Sequence, residues 1–461
     1  MINSATTLAV HSPYTGELVG EAPRSDPAAV RSALDRGARY KSTLSRHERS
    51  SILSAVAGLL VQRRDQLAVL ISSESGLCLK DTRHEVSRSV DVFRFTAIEA
   101  LRDDGEAYAG DVTAHGYSRR AHTMKVPVRL VAAITPFNHP LNQVAHKLAP
   151  AIAIGAPIVL KPSEKTPLSA LALIELIREA GLPVAAAQVV CGPPAEVLDE
   201  FLAHPAVEVL SFTGGVAVGK LIASRLGYRR AVLELGGNDP LLVLADADLD
   251  EAAALAARGA FQNSGQRCTA VKRIIAVTDV ANELADRLCT NAAALRCGDP
   301  MDESTDVGTV IDEPAAIAIE DRVGEALADG ATLLCGGTRD GALIVPTVLD
   351  GVRGEMNLVA QETFGPVAPI IRVENLDAAI AAANATPYAL SSGICTNDWR
   401  AISRCIHELR AGTVNVREVP GWRTELAPFG GVGDSGLGVK EGVREAIRAM
   451  SFTKLYTLPW T

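Results

Sequence analysis

The chain has 461 residues, 48% hydrophobic and only 4% aromatic, which is too long for one ordinary core and suits small aliphatic side chains packing helices on buried strands. A formal charge of −9 argues against a nucleic-acid or anionic-membrane footprint, though a basic pocket inside an acidic shell stays possible. Eight cysteines, at positions 78, 191, 268, 289, 297, 335, 395 and 405, show no CxxC pairs and no neighbouring histidine, so neither a metal site nor a disulfide framework is expected.

The first residues, Met-Ile-Asn-Ser-Ala-Thr-Thr, lack a basic segment leading into an apolar run, and no stretch approaches bilayer length; a cytoplasmic enzyme is the expectation. Residues 26–101 read as mostly helical, with Pro27 at a first turn and apolar residues spaced three and four apart. The Gly-containing alternation of 106–127 reads as a hairpin away from the core. Short apolar runs closed by turn residues follow at 130–134, 157–160, 187–190, 207–212 and 231–235, alternating with helical stretches as in a parallel sheet. A second set of candidate strands lies at 273–277, 343–345, 368–372, 391–394 and 412–416, with the break between sets near Gly236-Gly237. An isolated run at 451–457 is placed to pair with the 106–127 hairpin. The expected fold is α/β. A doubly wound nucleotide-binding domain would comprise 1–107 and 128–236, and a catalytic α/β domain 237–445. A small β arm for oligomerisation would combine 108–127 and 446–461.

Four segments carry chemistry. Cys268 sits in Gln262-Asn263-Ser264-Gly265-Gln266-Arg267-Cys268-Thr269, a polar loop before an apolar run, and adjacent Arg267 is expected to favour the nucleophilic thiolate. The other seven cysteines read as small buried hydrophobes. Glu234, in Leu233-Glu234-Leu235-Gly236-Gly237, is a carboxylate among apolar neighbours and so a candidate general base, against the plain alternative of a salt-bridged surface glutamate. Phe212-Thr213-Gly214-Gly215-Val216-Ala217-Val218-Gly219 closes a strand and opens a helix, which offers free N–H groups and a positive dipole end to a phosphate. Its spacing is not GxGxxG, and a ligand-free tight turn competes. Lys161-Pro162-Ser163-Glu164 follows another strand end, where a lysine and an acid would suit ribose hydroxyls or form an ordinary turn.

These segments, together with Pro136-Phe137-Asn138-His139-Pro140, Gln361-Glu362-Thr363-Phe364-Gly365-Pro366 and Pro428-Phe429-Gly430-Gly431, occur in the order found in aldehyde dehydrogenases, and the chain resembles that superfamily over nearly its whole length. The resemblance implies that Cys268 attacks the aldehyde and that the Asn138 amide and the Cys268 N–H form an oxyanion hole. It further implies that Glu234 activates the hydrolytic water, with Lys147 supporting proton relay. For the cofactor it implies that Thr135, Pro136 and Phe137 wall the nicotinamide crevice and that Lys161, Ser163 and Glu164 hold the adenosine ribose. Phe212 to Gly215 and Val218 would face the pyrophosphate, and Leu235, Gly236, Glu362 and Phe364 would lie about the nicotinamide ribose and ring. Glu164 would repel a 2′-phosphate, favouring NAD over NADP.

After Asn138, residues His139, Asn142, Gln143 and His146 fall at i, i+3, i+4 and i+7 of a helix expected to start near Pro140, which puts them on one face. With Arg267, Thr269, Arg423 and Arg88 they would make a cationic substrate pocket, the alternative being surface ion pairs for the arginines. The stretches 135–149, 263–273 and 416–442 are similar to the phosphonoacetaldehyde dehydrogenase branch, with Gly433 where those relatives usually carry lysine. The expected substrate is therefore a small phosphono-aldehyde, phosphonoacetaldehyde or the shorter phosphonoformaldehyde. Lactaldehyde- or succinate-semialdehyde-type oxidation is the alternative. A CoA-acylating enzyme is disfavoured by Glu234, and a non-catalytic scaffold by the joint presence of the chemical residues. No nucleic-acid or membrane partner is expected, and the resemblance implies a homodimer or homotetramer.

Overall fold

The structure, a computed structural model, describes residues 7–439 and 441–460. An antiparallel hairpin, Thr7–His11 with Leu18–Pro23, leads into four helices. The first, Pro27–Arg39, is capped by Asp26, which accepts from Ala29 N, and has Pro27 at its first position, where a missing N–H costs nothing. A reciprocal Ser45/Glu48 capping box starts Arg46–Gln62, and Arg64–Ser75 and Leu79–Glu99 complete the set.

A parallel five-stranded sheet follows, in the spatial order Ala187–Val189, Ile158–Lys161, Val131–Ile134, Val209–Thr213, Arg230–Glu234. Its strands alternate side chains to two cores: Val131, Ala133, Ile158 and Leu160 face the helices of 46–100, whereas Leu130, Ala132 and Val159 pack against Leu34, Phe201 and Ile222. The chain winds outward from Val131–Ile134 on one side, then returns to add Val209–Thr213 on the other. That reversal opens a crevice beyond the carboxyl ends of these two strands.

The chain leaves this sheet at Glu234 and enters the next at Asp239, so the two sheets part at Gly236-Gly237. The second sheet has seven strands, ordered Thr332–Cys335, Thr347–Asp350, Val367–Val373, Val271–Val277, Asp239–Val243, Ser391–Cys395, Thr413–Val416, parallel except for the first pair. Ser451–Pro459 pairs antiparallel with Arg119–Pro127 along its full length, and Ala107–Ala109 adds a third strand.

Three expectations need correction. The 343–345 run is not in the large sheet; Leu343–Ile344 forms a small hairpin with Arg339–Asp340. Asp239–Val243 is a central strand that the sequence hides, because proline inside a run argues against a central strand; Pro240 sits at a register shift that absorbs its missing N–H. The helix expected from Pro140 begins at Asn142, where the Glu85 carboxylate accepts from Leu141 N at 2.8 Å and Asn142 N at 2.9 Å and so takes over the capping. Among the described residues, no helix is long and apolar enough to cross a membrane.

Candidate active site

Cys268 lies between helix Leu249–Phe261 and strand Val271–Val277, on a loop with unusual backbone. Asn263, Ser264 and Gly265 are consecutive left-handed residues, with φ of 61°, 52° and 70°. For the asparagine and serine this conformation costs energy, and surrounding contacts hold it. Asn263 N donates to Asp81 Oδ2 at 2.7 Å, its amide donates to Asn138 O at 3.1 Å, and the Ser264 hydroxyl donates to Gly308 O at 3.0 Å. At Gly265 only glycine fits, since a Cβ would stand 2.1 Å from Gly365 O. The loop turns Cys268 and Thr269 into a cleft that Asn138 and Glu234 also line.

Glu234 ends its strand beside Thr213, and Leu235 N donates to Ser435 O from the other side. The carboxylate is thereby fixed between the two sheets, 3% exposed, with no hydrogen-bond partner on either oxygen among the described residues. Burial, then Glu441, push its pKa well above the ordinary carboxylate value against the pull of Lys147 and Arg423. A surface salt bridge is thus excluded for Glu234. Lys147 is buried too, and its ammonium donates to Glu441 Oε1 at 3.0 Å; it acts on Glu234 through the local field rather than by direct contact.

The Cys268 thiol departs from expectation. Burial raises its pKa to about 12; Lys272 and Arg423 favour the thiolate, Asp239 and Glu362 oppose it. The Arg267 guanidinium turns back to donate to Gly259 O at 2.9 Å, and burial of the thiol outweighs the attraction between this arginine and a Cys268 thiolate. The Asn138 amide donates to Gln266 O at 2.8 Å and to His139 Nδ1 at 3.2 Å. Burial together with Arg88 and Arg267 keeps His139 neutral, so its Nδ1 is free to accept.

On the other side of the cleft, Glu362 Oε1 accepts from Lys272 Nζ at 2.5 Å and Gly237 N at 3.2 Å, and Phe364 meets the Phe137 ring edge-on with centroids 5.9 Å apart. Pro136, Phe137, Thr213, Gly214, Gly215 and Gly236 wall this end. It is the mouth of the crevice at the sheet reversal, and the helix Val216–Arg225 starts there, with Val218 in its first turn. A dinucleotide fits what is present. The buried hydroxyls of Thr135 and Thr213 lack partners among the described residues, a Cβ at Gly215 would meet nothing, and one at Gly236 would strike the Glu362 carboxylate. Phe212 packs under the Gly214 backbone. Lys161, Ser163 and Glu164 follow the adjacent strand end along the same sheet edge, where Lys161 Nζ donates to Glu164 Oε2 at 3.0 Å.

Beyond Cys268 the cleft meets an outer chamber. Arg88, His139, Arg267, Gly421 and Arg423 wall both. Arg423 lies over the Phe429 ring at 3.8 Å, and Arg88 Nε donates to Glu425 Oε1 at 2.6 Å. Two proposed substrate residues are elsewhere. His146 is fully buried, its Nε2 donating to Glu425 Oε2 at 2.6 Å, and Asn142 is buried below the cleft; neither lines a chamber. The later helix start shifts the face, so that His139 and Gln143 reach the cleft instead. Glu425, Glu441 and Lys272 had no local signal in the sequence. Among the described residues, no cluster of three or more His, Cys, Asp or Glu side chains could hold a metal ion.

A cysteine and a buried carboxylate without a hydrogen-bond partner among the described residues face a crevice that a dinucleotide would fit. The aldehyde dehydrogenase family model matches residues 1–456. A 3-sulfolactaldehyde dehydrogenase of Priestia aryabhattai is 40% identical over 430 residues, covering 93% of this chain and 89% of that protein. A sulfoacetaldehyde dehydrogenase of Neptuniibacter caesariensis is 35% identical over 453 residues, with 98% and 99% covered. The crystal structure of an NADP-dependent glyceraldehyde-3-phosphate dehydrogenase from Bacillus halodurans C-125, complexed with NADP, superimposes with a TM-score of 0.96 at 36% identity, covering 99% of this chain and 96% of that one. The chain belongs to the aldehyde dehydrogenase family and is an enzyme that oxidises aldehydes with NAD or NADP.

Proposed function

We propose that the enzyme oxidises a short aldehyde bearing a tetrahedral anionic headgroup, a sulfonate or a phosphonate, to the carboxylate. The observation that carries this reading is the pair of buried guanidinium nitrogens, Arg267 Nε and Arg423 Nη1, that lack partners among the described residues on the walls shared by the two chambers. A buried N–H donor left unmade costs about 1–3 kcal/mol, which an anionic oxygen would recover. Names borne by relatives point the same way: two act on sulfonated aldehydes and one on a phosphorylated one. Similarity to the phosphonoacetaldehyde branch keeps the phosphonate within the proposal.

In the proposed chemistry Cys268 Sγ bonds to the carbonyl carbon as its proton passes to the ionised form of Glu234, which releases it to solvent before the hydrolytic step, and the oxygen takes up the carbonyl electron pair against the Cys268 N–H and the Asn138 amide, which releases its longer bond to His139. The cofactor, when bound, supplies the acceptor for the hydride that leaves this carbon. Glu234 then takes a proton from water as the water oxygen bonds to the thioester carbon, and the C–S bond breaks to return the sulfur of Cys268. Glu362, held by Lys272, would orient the nicotinamide ribose, and Lys161 and Glu164 the adenosine ribose. The Glu164 carboxylate disfavours a 2′-phosphate, so NAD is the preferred cofactor in this reading.

Arg423→Ala should raise KM for a sulfonated or phosphonated aldehyde by about tenfold to a hundredfold, while KM for an uncharged aldehyde of equal length changes little. Equal losses on both would remove the charged-substrate assignment. Cys268→Ala should abolish the NADH burst with either.

A further inference from the structure

The cationic walls are not free charges. Arg88 is tied to Glu425 Oε1 at 2.6 Å, and the other oxygen of that carboxylate accepts from His146 at 2.6 Å. Arg423 lies 3.5 Å from Glu441 Oε2, whose partner oxygen accepts from Lys147 at 3.0 Å. Arg267 is attracted by Asp81, in the outer chamber wall. Glu425 and Glu441 are 4% and 2% exposed, so water screens neither. Both are held as carboxylates: burial opposes ionisation, but Arg88 and His146 outweigh it at Glu425, and Lys147, His146 and Arg423 outweigh it at Glu441.

Two of the three guanidiniums on these walls, Arg88 and Arg423, thus each face a buried carboxylate, Glu425 or Glu441, while Arg267 is attracted by Asp81. Other charges on these walls are matched: Arg258 by Glu418, Asp91 by Arg94 and Lys272 by Glu362. A buried site binds best the ligand that neutralises it, because surplus charge of either sign is desolvated without compensation.

Resting on the anionic-aldehyde reading, we infer that Glu425 and Glu441, each set against one of the three arginines, bias the site toward a headgroup of lower negative charge and against a doubly charged one. The enzyme is then selective for sulfonate over phosphonate at equal size. Glu425 is a positioning residue: it acts through Arg88.

The test compares kcat/KM for sulfoacetaldehyde, phosphonoacetaldehyde and propionaldehyde at about pH 8, above the second ionisation of a phosphonate. In the unmodified enzyme the sulfonate is expected to lead the phosphonate by about tenfold or more, with propionaldehyde last. Glu425→Gln should move the sulfonate-to-phosphonate ratio about tenfold toward the phosphonate, and Glu441→Gln should move it the same way. Without any variant, the phosphonate should gain on the sulfonate at about pH 6, as its second proton returns. A phosphonate as good as the sulfonate in the unmodified enzyme overturns the inference, as does an unchanged ratio in a folded Glu425→Gln protein that still oxidises propionaldehyde. If propionaldehyde outruns both anions, the anionic-aldehyde reading itself falls and this inference falls with it.

Discussion

At the scale of single residues, the unpartnered Glu234 carboxylate holds its proton at a pH where an exposed glutamate has long lost it. Only the ionised form accepts a proton from water, so hydrolysis of the acyl-enzyme should speed up with rising pH until Glu234 has titrated. Glu234→Gln should keep a single, slower burst of NADH while slowing steady turnover by about a hundredfold to ten-thousandfold, read by rapid mixing against steady-state rates. Cys268 and Glu234 were legible in the sequence because their motifs are local and chemically odd: a carboxylate between two leucines, a cysteine after a Gly-containing polar loop. Glu425 and Glu441 were not legible, since what makes them special is burial against His146 and Lys147, nearly three hundred positions away. Arg267 was overread in another way: its guanidinium does attract a Cys268 thiolate, but burial of the thiol outweighs that attraction.

Two elements share one device. Glu74 accepts from Leu168 N at 2.7 Å and Ser169 N at 3.0 Å and so caps the helix Leu168–Glu179, as Glu85 caps the helix that starts at Asn142. Burial lifts both carboxyls to about 7, against hydrogen bonds that pull them down. Because the folded values lie above the unfolded ones, these groups contribute full stability below about pH 4.5 and lose it as pH rises through about 7. Replacing either by glutamine keeps an acceptor for the helix N–H groups and removes the titration. Melts of Glu74→Gln and Glu85→Gln should therefore decline less between about pH 5 and pH 8 than the parent, by on the order of 2 kcal/mol per site. The nucleophile loop is less forgiving: Gly265→Ala should cost about 3 kcal/mol and most activity, measured by denaturant unfolding and turnover, since the Gly365 carbonyl leaves no room. Strand runs such as Val367–Val373 were readable from apolar content alone, whereas the helix start at Asn142 depended on a carboxylate from Leu79–Glu99 that no local pattern announces.

For the whole molecule, the alternation of runs and helices made two largely parallel sheets predictable, but the strands Asp239–Val243, Thr332–Cys335 and Thr347–Asp350 of the second were not foreseen. The pairing of Ser451–Pro459 with Arg119–Pro127 was also foreseen, and it leaves Phe452, Leu455, Tyr456, Leu458 and Trp460 exposed along one edge strand. Such an edge calls for cover, and we propose that a second copy of the chain provides it. Leu455→Lys should then lower the mass measured by light scattering, with the fold intact by circular dichroism. The tethering of Arg88 and Arg423 to carboxylates bears also on how a turnover ends. Oxidation converts a neutral aldehyde group into an acid, so the product carries one negative charge more than the molecule that entered. Lined by bare arginines, the chamber would grip that acid harder than its precursor and clog. For the anionic substrate proposed above, arginines already half answered by Glu425 and Glu441 would hold that more highly charged acid less firmly, and the catch turns into an ejector.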